Sequence, residues 1–123
     1  MDGLIDTLHY DGARGGVVIN DTHFVLCKDI ESFIDALCTA KGSSIDGRRK
    51  AFTKITGQVR KVPVYVQDGL ILVPDGAARD IDTVWYSWPE NEKRLPELTC
   101  LNIRQFLRAI DLPLEKTWSG FVK

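Results

Sequence analysis

The chain has 123 residues, which suits one domain spanning 1–123 and leaves little room for two. It is 44% hydrophobic and 27% charged with a net charge of −1, a balance that argues against a disordered chain, and no apolar run approaches the roughly 20 residues needed to cross a bilayer. The opening MDGLIDTLHYDG lacks the basic start and apolar centre of a secretion signal, and three well-separated cysteines (Cys27, Cys38, Cys100) suggest neither a disulfide framework nor a CxxC site, so a cytoplasmic protein with reduced thiols is expected.

The first pattern is a hairpin. Val17 to Ile19 is a short apolar run, Asn20-Asp21 can turn the chain, and Thr22 to Leu26 is strand-like again. The GARGG stretch before it (Gly12 to Gly16) lacks the lysine and hydroxyl of a P-loop and reads as a flexible lead-in loop. Asp29 then opens a helix as its N-cap. Ile30, Phe33, Ile34, Leu37 and Cys38 fall on one face of it. Gly42 can end the segment in a left-handed conformation.

Ser43-Ser44 offers a second N-cap, and Ile45, Ala51, Phe52 and Ile55 form a narrow apolar stripe on a following helix that Gly57 can close. The period then changes. Val62, Val64 and Val66 alternate with Pro63, Tyr65 and Gln67, Gln67-Asp68-Gly69 supplies a turn, and Leu70 to Val73 returns as a more buried strand. Pro74 to Asp82 shows no evident order. Thr83 to Trp88 is strand-like, with Trp85 and Trp88 on opposite faces. Leu98 to Leu101 reads as a last strand. A helix follows from about Asn102 to Asp111, carried by Ile103, Phe106, Leu107 and Ile110 and stopped by Pro113. Trp118 and Phe121 suggest a tail that docks. The predicted class is α+β: a small, mainly antiparallel sheet with two or three packed helices.

Charge is unevenly distributed over these elements. Residues 41 to 64 hold seven bases and one acid, a local charge of +6. Residues 1 to 40 carry −5 and residues 65 to 123 carry −2. A nearly neutral chain thus gathers its positive charge on one segment, which suits a polyanion or an acidic surface. Gly42-Ser43-Ser44 at a helix start would present N–H groups and hydroxyls to a phosphate. Arg48 and Arg49 offer planar forks for phosphates or a narrow A/T minor groove. Gly47 removes a side chain where a nucleic-acid backbone approaches. The candidate DNA-binding set is Lys41, Ser43, Ser44, Arg48, Arg49, Lys50, Lys54, Arg60 and Lys61. The competing reading of the same residues is a helix cap, a tight contact and a solvated basic face.

The run Gly42-Ser43-Ser44, Gly47-Arg48, Thr53-Lys54, Gly57 and Lys61-x-Pro63-Val64 resembles the signature of the ComK family, the competence transcription factors of Gram-positive bacteria. The resemblance continues through a hairpin ending at Pro74 to Trp85 and covers roughly residues 23 to 88. It implies a cytoplasmic DNA-binding activator of DNA-uptake genes. It further implies A/T-rich double-stranded boxes bound largely through the minor groove by more than one copy of the protein. A homo-oligomer on DNA, and contact with RNA polymerase or a regulatory adaptor, are the partners implied. No cofactor, metal, catalytic residue or membrane is expected.

Other constellations carry less. His23 and Cys27 have no second pair to complete a zinc site. Cys38 lies on an apolar helix face, where a buried thiol is the simple reading and a catalytic one is not. The TVWYSW stretch offers aromatic faces for stacking on bases, against core packing for at least one tryptophan. A binding module that keeps the fold but uses its basic face on an acidic protein is the alternative to a DNA binder.

Overall fold

The computed structural model describes residues 4–111. Six strands form one curled antiparallel sheet: β1 (Thr7–Asp11), β2 (Gly16–Ile19), β3 (His23–Leu26), β4 (Val64–Gln67), β5 (Leu70–Pro74) and β6 (Trp85–Trp88). Three helices accompany it, α1 (Ile30–Thr39), α2 (Ile45–Thr56) and α3 (Glu97–Ile110), with a short 3-10 turn at Glu92–Arg94. The strand order is β3-β2-β1-β6-β5-β4, so the first and last hairpins meet through β1 and β6.

Each face of the sheet buries its own apolar cluster. On one face Leu8, Val17, Ile19, Val64, Val66, Leu72 and Trp85 pack against Ile30, Ile34 and Cys38 of α1 and Ile45 of α2. On the other, Ile71 and Val73 pack with Phe52 of α2 and with Cys100, Ile103 and Phe106 of α3. Coverage on both faces explains why every residue of β5 is buried, as its unbroken apolar run suggested. Trp85 is fully buried in the first cluster and Trp88 borders the second, so the two do lie on opposite faces.

Local chemistry sets the boundaries. Asn20 and Asp21 both take left-handed conformations at the β2–β3 turn, with φ of 54° and 60°. Asp29 caps α1 by accepting from the Ser32 N–H at 2.7 Å. Gly57 closes α2 at φ 81°. Gly16 is required by contact, because a Cβ there would lie 2.3 Å from the Val25 carbonyl oxygen.

Two expectations are corrected and one strand is added. GARGG is not a lead-in loop but most of the β1–β2 turn, held by the Asp11 carboxylate accepting from the Ala13 and Arg14 N–H groups. β1 itself is an additional, internal strand. Leu98 to Leu101 is helical: α3 begins at Glu97, and the residues it buries are Thr99, Cys100, Ile103 and Phe106 while Leu98 and Leu101 face outward. Two outward leucines one turn apart, with the buried Cys100 between them in sequence, mimicked an apolar run. The docking of Trp118 and Phe121 lies outside the described residues.

Candidate nucleic-acid interface

The basic segment folds into the α1–α2 turn, helix α2, and the loop leading into β4. Helix α2 runs past the β4 edge, since Ile45 belongs to the cluster on one face of the sheet and Phe52 to the cluster on the other. That placement decides the fate of each cation.

Arg48 faces inward. Its Nη1 donates to the Tyr65 and Val66 carbonyls at 2.7 and 2.9 Å, and its Nη2 to the Cys38 and Lys41 carbonyls at 3.2 and 3.3 Å. The first pair are backbone acceptors of the edge strand β4. The second pair belong to the end of α1 and the turn after it, where carbonyls lack helical partners. One guanidinium therefore closes a sheet edge and a helix end together, while its Nε is buried without a partner. Arg49 lies beside it, half-buried, and donates to Glu31 of α1 and to Asp46, both at 2.7 Å. The Arg49 hydrogen bond holds the Asp46 carboxyl below its ordinary range.

The serine-capped turn is also occupied from within. Ser44 Oγ accepts the Gly47 N–H at 3.0 Å, and the Asp35 carboxylate of α1 accepts the Ile45 N–H at 2.8 Å. Two of the amides a phosphate would use are thus already satisfied. Ser43 is exposed, and Gly42 takes φ 106°, a region that favours glycine.

The remaining cations point away from the protein. Lys50 and Lys54 are exposed one turn apart on the outer face of α2, which they share with Gly47 and Ala51. Lys41 precedes the helix, and Arg60 and Lys61 follow it, all three exposed. Among the described residues, no carboxylate pairs with any of these five. Gly47 has no positive φ, and an added Cβ would meet only Ser44 Oγ at 3.4 Å, an ordinary contact. Nothing inside the described protein requires a glycine there.

The predicted set therefore splits. Ser44, Arg48 and Arg49 are engaged in holding α1, α2 and β4 together. Lys41, Ser43, Lys50, Lys54, Arg60 and Lys61 are displayed along the helix and its two flanks. Sequence reasoning gives Asp35 and Glu31 only a place near the N-terminal end of α1, and nothing there shows that they meet the Ile45 N–H and Arg49. It passed over Gln58, whose side chain ties the loop after α2 to α3 through Thr99 and Asn102.

The other constellations resolve simply. Trp85 has no exposed face for stacking. Cys38 is buried, and that burial pushes its thiol above the usual range. Among the described residues there is no group of three His, Cys, Asp or Glu side chains placed to hold a metal ion, and no helix long and apolar enough to cross a membrane.

A family model described as ComK protein matches residues 4–100. No curated protein and no solved structure matches the chain.

Proposed function

We propose that this chain, which belongs to the ComK family, is a DNA-binding regulator that recognises A/T-rich duplex sites of competence genes through the outer face and flanks of α2. Membership suggests a competence transcription factor role rather than catalysis. The finer reading rests on one observation: five exposed cations, Lys50 and Lys54 on α2, Lys41 before it and Arg60 and Lys61 after it, have no carboxylate partner among the described residues. A row of unpaired ammonium and guanidinium groups fits a row of phosphates, which position a protein on a duplex. The Ser43 hydroxyl joins the proposed contact set; Ser44, Arg48 and Arg49 leave it. Gly47 and Ala51 keep the helix face low beside the two lysines, so a nucleic-acid backbone can approach it. More than one copy on a cytoplasmic site, with RNA polymerase or an adaptor as further partner, completes the proposal.

An electrophoretic shift series with A/T-rich and G/C-rich duplexes at several salt concentrations tests it. The expected result is tighter binding to the A/T-rich probe, lost in the Lys50→Glu, Lys54→Glu double variant. Equal and feeble retardation of both probes at low salt would falsify the reading.

A further inference from the structure

The loop that joins α2 to β4 is built to hold one tip rigidly in solvent. Every polar group of Gln58 is engaged. Its N–H donates to Thr56 Oγ1 at 3.2 Å, and its carbonyl accepts from Thr53 Oγ1 at 2.7 Å. Its Nε2 reaches the Arg60 and Lys61 carbonyls at 2.9 and 3.3 Å and Thr99 Oγ1 at 3.3 Å, and its Oε1 accepts from Asn102 at 2.9 Å. The side chain thus grips the turn from inside and bolts it to α3. Gly57 at φ 81° and Lys61 at φ 50° reverse the chain on either side, and Pro63 beyond is fully buried.

What this frame displays is Val59, 75% exposed, followed at once by Arg60 and Lys61. A lone exposed valine needs no explanation. A valine fixed at the end of a pinned turn, beside two cations without a carboxylate partner among the described residues, is a different object. The cations select a polyanion. The small apolar tip selects a narrow slot with charged rims and apolar walls, and the minor groove of a duplex, walled by deoxyribose and floored by base acceptors, has that form. Its width is about 6 Å, whereas a helix with its side chains needs about 10–12 Å. α2 is too broad to enter the minor groove, and the tip is not.

We propose that Val59 is the element that enters the minor groove, pressing against an A/T step while Arg60 and Lys61 hold the bordering phosphates. The inference rests on the DNA-binding reading above and adds to it the inserting residue and a consequence for DNA shape. Apolar side chains inserted from the minor groove loosen base stacking and bend the duplex away from themselves. A/T-rich sites are favoured because pyrimidine–purine steps such as TA unstack easily. Val59 is short, so partial unstacking and a modest bend are expected. Gln58 is a positioning residue, because rigidity decides whether the tip is ready to insert before binding.

The test uses the full chain and an A/T-rich duplex carrying an aminopurine at a TA step and a dye at each end. Wild-type binding should brighten the aminopurine and shorten the distance between the dyes. Val59→Ala changes an exposed residue and should leave the melting temperature and the salt slope in place. It should lose the brightening and the bend, with affinity about tenfold weaker. Gln58→Ala should show the same losses, with its melting curve recorded alongside. If wild type binds without brightening or bending, or if Val59→Ala matches wild type in both, the inserting tip is wrong and the DNA reading stands. If wild type retards no duplex at low salt, the DNA reading fails and the tip fails with it.

Discussion

Arg48 and Arg49 are adjacent, equally basic and on the same helix, yet neither guanidinium is available at the surface. Arg48 meets four backbone carbonyls and Arg49 meets two carboxylates. Nothing in a charge count separates them from Lys50 and Lys54, because the acceptors come from Cys38, Lys41, Tyr65 and Val66, up to 18 positions away. A lysine tests the assignment. An ammonium still binds phosphate as a point charge but cannot span four carbonyls in two elements. Arg48→Lys should therefore cost about 2–4 kcal/mol of stability, a fall of roughly 10 °C or more in thermal melting. A variant that melts like wild type would return Arg48 to the list of possible phosphate ligands. Gly47 gives the opposite sign. Its replacement by alanine removes the flexibility of a glycine in the first turn of α2 and meets no clash, so Gly47→Ala should gain up to about 1 kcal/mol in denaturant unfolding. If DNA lies against that face, the same change weakens retardation of an A/T-rich probe.

At the scale of elements, α1, α2 and both hairpins were legible because their signals are local. Asp29 and Ser44 cap, Gly57 closes, and the alternation of Val64 and Val66 marks the edge strand, although Val62 lies before it and packs in the cluster on the other face. β1 escaped because its sequence, TLHYD, carries one fully buried residue, Leu8, and draws its place in the sheet from partners in β2 and β6. The start of α3 escaped because Leu98 and Leu101 are apolar and exposed, and periodicity assigns apolar residues inward. The site was legible as a segment and not as a surface: the spacing located α2, while the sorting of its cations depended on α1 and β4.

The β4–β5 hairpin also yields a pH prediction. The Tyr65 hydroxyl donates to Asp68 across the turn, and this bond, with burial second, raises the phenol to about 12. A group whose folded value is raised stabilises fully below its unfolded value, near 10 for tyrosine, and loses that contribution as pH climbs towards 12. Stability should therefore fall across that alkaline interval more steeply in wild type than in Tyr65→Phe, measured by denaturant midpoints at successive pH values. Parallel profiles would mean that the phenol–carboxylate bond does not persist in solution.

For the whole molecule, the balance of charge matters more than its total. A net charge of −1 gives no general attraction to DNA, so binding must come from the local row of cations against an otherwise acidic chain. Counterion release makes the number of participating cations measurable. If Lys41, Lys50, Lys54, Arg60 and Lys61 each neutralise a phosphate, log affinity should fall against log salt with a slope of about −4 to −5. The slope also separates the two classes of basic residue. Lys54→Gln removes one displayed charge and should reduce its magnitude by about 0.9. Arg49→Gln removes a charge already matched by Glu31 and Asp46, and should leave the slope close to its wild-type value. Equal effects of the two substitutions on the slope would mean that Arg49 abandons its carboxylates for the duplex, and that α2 binds DNA in a different arrangement from the one it shows alone.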